Sequence, residues 1–145
     1  MRILLLFALV ACGAQIRTTT PDTFVRMERT GCQGMPCRVY TLTLYADGAV
    51  HYEGVFNVPA GAKWRTIAPG RVENLMGEAE RVTAWTCDPD RIRRELPGAI
   101  VTVSRAGKVT RRYEHNDGDP CAPHETFAVE GAIDVDAGLS RFLEK

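Results

Sequence analysis

The sequence predicts an α+β domain: a mainly antiparallel sheet of two hairpins plus extra strands, covered on one face by two helices and stapled by disulfides. Three observations predict it. Two stretches alternate apolar and polar residues around a glycine-bearing turn, two others space apolar residues helically, and single-sided helices need an apolar sheet face to cover. At 145 residues, 45% hydrophobic and 25% charged, the chain has the size and composition of one globular domain.

In chain order, Phe24 to Arg29 reads as a first strand. Tyr40, Leu42 and Leu44 alternate with Thr41, Thr43 and Tyr45, and Val50 and Tyr52 with His51 and Glu53, the pattern of a hairpin with one buried face. A two-residue Asp47-Gly48 loop would set Leu44 opposite His51 and Leu42 opposite Glu53. A three-residue loop, Ala46-Asp47-Gly48, sets Leu44 opposite Val50 and Leu42 opposite Tyr52, so this loop is expected, with Gly48 left-handed. Lys63 to Ile67 follows as a strand. Pro69 suits a first helical position and opens a helix carrying Val72, Leu75, Met76, Ala79 and Val82 on one stripe, continued by Trp85 and broken before Asp88-Pro89. Val101 and Val103 lead into Arg105-Ala106-Gly107, where the same three-residue arithmetic faces Val103 with Val109. Val135, Leu139, Phe142 and Leu143 mark a second helix, weakened by Gly138.

Residues 1–11 have the order of a signal peptide: a positive charge at Arg2, then an apolar run from Ile3 to Val10 too short to span a bilayer. The run ends in Leu9-Val10-Ala11-Cys12, which resembles the bacterial lipobox, and the resemblance implies acylation of Cys12, with palmitate among the chains, as the first mature residue. Acyl chains contribute about 0.8 kcal/mol per buried methylene, and two or more anchor stably. The expected protein sits on a membrane through its lipid. Residues 12–23, polar and Thr-rich, read as a tether reaching roughly 35 to 40 Å, and residues 24–145 as the single domain. Gly13 stands where some inner-membrane lipoproteins carry a retaining aspartate, so the resemblance implies the outer membrane, facing the periplasm.

With Cys12 acylated, Cys32, Cys37, Cys87 and Cys121 remain, an even set that in an exported chain reads as disulfides. Proximity suggests Cys32 with Cys37 and Cys87 with Cys121, among the three pairings four cysteines allow. Loop entropy gives about 2 kcal/mol for the shorter ring and about 4 kcal/mol for the longer. Four residues separate Cys32 from Cys37 and a strand follows, which fits a staple; a thioredoxin-type motif has two and opens a helix.

The stretch Gly31-Cys32, Cys37, Tyr40, Tyr45, Asp47-Gly48 and Tyr52-Glu53-Gly54 resembles the signature of a domain family of bacterial exported proteins and lipoproteins. The family pattern has proline directly after the second cysteine; here Pro36 precedes Cys37 and Arg38 follows it. The motif covers about a fifth of the chain, and the resemblance implies no activity.

Formal net charge is zero and the basic residues are scattered, which gives no electrostatic footprint for nucleic acid. The run Asp90 to Glu95 holds three arginines among Asp88, Asp90 and Glu95, a self-compensating loop. Ser104 and Ser140 are the only serines and neither sits in a nucleophile elbow. A phosphate-cradling glycine loop and a His-Glu-x-x-His motif are both absent from the sequence. The polar constellation is His115 to His124, where His115, Asp117 and His124, with Asp119 or Cys121, could ligate zinc; the competing reading is a stapled surface loop rich in turn residues. No cofactor is expected. Two functions follow: a lipid-anchored envelope module, non-catalytic, that binds or supports an envelope protein, or a metal-dependent or acid-base enzyme built on the His115 to His124 loop. A cleft joining those side chains favours the enzyme; splayed side chains favour the module.

Overall fold

A computed structural model describes residues 22–32, 36–85 and 95–144. The elements are β1 (Phe24–Thr30), β2 (Val39–Tyr45), β3 (Ala49–Phe56), β4 (Gly61–Thr66), α1 (Pro69–Arg81), β5 (Gly98–Arg105), β6 (Lys108–Asn116), α2 (His124–Ala137) and α3 (Leu139–Leu143). The strands form one six-stranded sheet in the order β4-β3-β2-β1-β5-β6, with every neighbouring pair antiparallel. This is the expected α+β architecture, with three helices in place of two. The signal peptide, the tether up to residue 21, Cys87 and the arginines of the 90–94 run lie outside the described residues. No helix among the described residues is long and apolar enough to cross a membrane.

Strand alternation sends Val25 and Met27, Leu42 and Leu44, Val50 and Tyr52, and Val101 and Val103 to one face, all buried. The helices cover that face with Val72, Leu75, Met76 and Ala79 of α1, Val129, Ile133 and Ala137 of α2, and Phe142 of α3. Pro69 opens α1 as expected, but the helix stops at Arg81. Trp85 rejoins the core from the following segment, its ring 5.4 Å from that of Tyr113. On the edge strand β4, Lys63 Nζ donates to the Phe142 carbonyl at 2.9 Å and Arg65 Nη1 to the Ala137 carbonyl at 2.9 Å. The two cations neutralise the carbonyl ends of α3 and α2.

The first hairpin has the expected register, Leu42 opposite Tyr52 and Leu44 opposite Val50, with Gly48 at φ 87°. The second corrects the sequence reading. Ala106 and Gly107, at φ 49° and 78°, form a two-residue turn that pairs Arg105 with Lys108. The irregularity moves into the ladder between Val103 and Ser104, so Val103 faces Arg111 and Val109 is 55% exposed. The expected partnership of Val103 with Val109 assumed that every valine faces inward. On the edge strand β6 the inward side chains are Arg111, which donates to the Val82 carbonyl at 2.6 Å, Tyr113 and His115.

The C-terminal helix is also corrected. It begins at His124, inside the stretch read as a surface loop, and breaks at Gly138, whose left-handed backbone (φ 65°) separates α2 from α3. Val135, taken as part of the buried stripe, is 77% exposed.

The two turn glycines should differ in cost. A Cβ at Gly48 collides with the Ile67 carbonyl oxygen, whereas at Gly107 the nearest atom is Asp22 Oδ2 at 3.3 Å. Gly107→Ala should therefore cost about 1 kcal/mol, the left-handed penalty alone, and Gly48→Ala roughly double that or more. Equilibrium urea unfolding measures both; equal losses would contradict the close approach at Gly48.

Candidate functional site

The period-two pattern that buries Val25 and Met27 also turns Arg29 toward the helices. In the sheet register Arg29 stands opposite Tyr40 on β2 and Ala99 on β5, and Ala99 opposite His115 on β6. One inward row, Tyr40-Arg29-Ala99-His115, thus crosses four strands. Glu130 and Asp134, one turn apart on α2, meet this row.

Arg29 donates from Nη1 to Glu130 Oε2 at 2.6 Å and from Nη2 to Asp134 Oδ2 at 3.2 Å, and Tyr40 donates to Asp134 Oδ1 at 2.9 Å. The second oxygen of Glu130 is hydrogen-bonded to His115 Nε2. His115 Nδ1 lies 2.9 Å from the Asn116 carbonyl, which can only accept, so Nδ1 carries a proton. His115 and Glu130 are each 1% exposed. Ionised Glu130, held by Arg29, then requires a proton on Nε2 as well, and the group balances as two cations against two carboxylates.

The titration directions follow from this arrangement. Burial disfavours the His115 imidazolium, but the bonds to Glu130 and the Asn116 carbonyl, together with the charges of Glu130 and Asp117, outweigh it and raise the pKa. Burial raises the Asp134 carboxyl above its ordinary value despite Arg29 and Tyr40. Burial also raises the Tyr40 phenol, helped by the charge of Asp134, so it remains a neutral donor.

In front of the row lies an open cleft of about 500 Å3. Arg29, Tyr40 and Asp134 form its floor, the stapled segment supplies Pro36, Cys37 and Arg38, and the far wall includes Asp117. The Cys32–Cys37 disulfide fixes the near wall, with Cα atoms 6.0 Å apart. His115 sits behind the floor, with both ring nitrogens engaged. What the cleft offers chemically is fixed charge and hydrogen-bonding groups. A histidine able to move a proton to a bound molecule is not among them.

The residues singled out by sequence are dispersed. His115 is in the core, Asp117 on the cleft wall 4.0 Å from Arg29, and His124 at the start of α2. His115 and His124 approach the ring of Phe127 at 4.8 and 6.5 Å, both edge-on. Asp119 accepts the backbone N–H of Cys121 at 2.9 Å, a turn contact. Among the described residues no three His, Cys, Asp or Glu side chains are grouped to hold a metal ion. The Cys87 half of the second expected bridge and Cys12 lie outside the described residues. Sequence reasoning passed over Glu130 and Asp134, and read Arg29 and Tyr40 only as strand positions. The signal was available: Arg29 continues the inward phase of Val25 and Met27, and an arginine there calls for a facing carboxylate.

Among models of known families, that of a domain of unknown function, DUF6438, matches residues 23–135. The matched span contains Arg29, Tyr40, His115, Glu130 and Asp134. No curated protein matches the chain.

Glu130→Ala should cost about 3 to 5 kcal/mol in equilibrium unfolding, because it leaves both Arg29 and His115 buried without their shared carboxylate. A loss below about 1 kcal/mol would show that the pair does not seat α2. The pH dependence has a definite sign. A histidine whose folded pKa is raised contributes stability that is complete below its unfolded value and is lost as pH rises through the folded one. The stability difference between the native chain and His115→Gln should therefore be full below about pH 6.5, the ordinary imidazole value, and shrink as the pH is raised above it. A difference that grows over that range would mean His115 is buried neutral.

Proposed function

We propose that this chain, which belongs to the DUF6438 family of domains of unknown function, is a bacterial envelope lipoprotein whose domain is a non-catalytic binding or accessory module. Cys12 carries the lipid, the following polar residues form the tether, and the outer membrane, on its periplasmic side, is the location. The observation that carries the module reading is the closure of the polar constellation on itself. Arg29, Glu130, Asp134, Tyr40 and His115 satisfy one another at the back of the cleft. Reactive groups in a catalytic site must instead reach a substrate in the right protonation state. A floor whose side chains are locked by mutual hydrogen bonds suits recognition, since little side-chain entropy is lost on binding. The Cys32–Cys37 disulfide agrees with an oxidising compartment.

The enzyme reading keeps one point in its favour, the hydrogen bond between His115 and Glu130, a pairing that acid-base chemistry uses. Against it stands the burial of both groups behind Arg29 and Tyr40.

Mass spectrometry of the mature protein should find Cys12 at the N-terminus with acyl chains attached; an unmodified Cys12, or cleavage beyond it, removes the anchor and the location together. A photo-crosslinking amino acid at position 38, on the cleft wall, should give discrete adducts in the native envelope, and one at position 109, on the exposed edge strand, should not. Matching adduct patterns at the two positions would count against recognition through the cleft.

A further inference from the structure

The cleft does not end at Arg38. A second depression of about 420 Å3, lined by Arg38, Asn57, Val58, Pro59 and Leu143, adjoins it, and Arg38 lines both. Leu139 lines the first and Leu143 the second, so α3 presents one apolar side chain to each half. Residues four apart on a helix share a face and stand about 6 Å apart along its axis. Alternate side chains of an extended peptide share a face at about 6.6 Å. The two spacings match.

The charges narrow the occupant. Arg29 is taken by Glu130 and Asp134, and Lys63 by the Phe142 carbonyl. Asp117, 4.0 Å from Arg29, keeps one negative charge on the wall of the first half, where the proposed occupant places no acidic side chain. Arg38 is exposed, and among the described residues no carboxylate forms an ion pair with it within 4.0 Å. It stands where the two halves meet. The residue before it is tied down twice, by the Cys32–Cys37 bridge and by Asn57 Nδ2, which donates to the Cys37 carbonyl at 3.2 Å.

We propose that the joined clefts form a groove for an extended segment of a partner protein, with an acidic side chain on Arg38 and the two residues flanking it packed against Leu139 and Leu143. An apolar-acidic-apolar triplet fits: in an extended chain the outer two side chains share one face, toward Leu139 and Leu143, and the middle one leaves from the other, toward Arg38 where the two halves meet. The inference rests on the binding-module reading and gives that module its partner class.

The test uses fluorescein-labelled peptides with a central Leu-Glu-Leu, Leu-Gln-Leu or Leu-Lys-Leu triplet, titrated with the full chain and followed by anisotropy. Leu-Glu-Leu should bind tightest. Arg38→Glu should weaken it about tenfold and reverse the preference in favour of Leu-Lys-Leu. Leu143→Asp should weaken binding of the Leu-Glu-Leu peptide as well. Arg38 is exposed, so Arg38→Glu should unfold at the same temperature as the native chain, and peptides are compared only between variants that do.

Equal affinity for the three peptides, no saturation at millimolar peptide, or an Arg38→Glu affinity within twofold of native would overturn the proposal. So would a dimer in sedimentation that Arg38→Glu dissolves, because the groove would then belong to a second copy of the chain. The peptides need no lipid anchor, so the outcomes separate. Failure of all three peptides alongside discrete envelope adducts at position 38 removes the peptide groove and leaves the module reading standing; loss of the adducts as well removes both.

Discussion

The contact on which the rest of the structure depends is the carboxylate of Glu130, clamped between Arg29 on the central strand and His115 on the edge strand. Burying either charge alone would cost several kcal/mol, so each is tolerable in the core only while the others are in place. That condition acts on geometry. Sliding α2 by one residue along the sheet would still bury its aliphatic side chains, but it would leave a carboxylate, a guanidinium and an imidazolium without partners. Hydrophobic burial holds the helix down; the ion pair decides where it lies.

The same row explains why the cleft has a rigid floor. Arg29 uses one guanidinium to reach two carboxylates on successive turns of α2, and Tyr40 closes the ring from the neighbouring strand. Every member is oriented by a bond to another, so the floor has few alternative conformations. The near wall is stiffened differently, by a covalent bridge that closes a short segment ahead of β2. A pocket with a locked floor and a stapled wall loses little entropy when filled.

Among the described residues no helix lies over the opposite face of the sheet. There Phe24, Tyr45, Trp64 and His51 bring their rings together across four strands, with Tyr45 and Trp64 nearly parallel at 6.1 Å and His51 and Trp64 at 4.3 Å. Cross-strand aromatic pairs stabilise the sheet where aliphatic burial is unavailable. On the helical side, Arg105 gathers Glu73 and Glu80 of α1 at 2.9 and 2.8 Å and ties that helix, from its second turn to its last, to the second hairpin. The domain is thus fastened to its two longer helices by charge at both ends of β5's neighbourhood, with the aliphatic core between.

What the sequence determined by itself is whatever rests on local physics. The alternation of Tyr40, Leu42 and Leu44 against Val50 and Tyr52, with Asp47-Gly48 between, admits one loop length that keeps polar groups off the buried face, and the register follows. Pro69 and the Val72 to Ala79 stripe determine α1 in the same way; the closeness of Cys32 to Cys37 suggests their bridge among three possible pairings, and the structure has it. What only the tertiary structure decided is where the local signal is ambiguous or misleading. Val109 lies on an edge strand, where an apolar residue can face water, so alternation assigned it the wrong partner. The buried face of α2 runs through Thr126, Val129, Glu130, Ile133 and Ala137, a regular helical stripe with a glutamate at its centre. Read alone, Glu130 belongs in solvent and the stripe dissolves, while the exposed Val135 takes its place. A buried charge becomes legible only with its partners, and Arg29 and His115 stand 101 and 15 residues away in the chain; the fold had to bring them together before Glu130 could be seen to point inward.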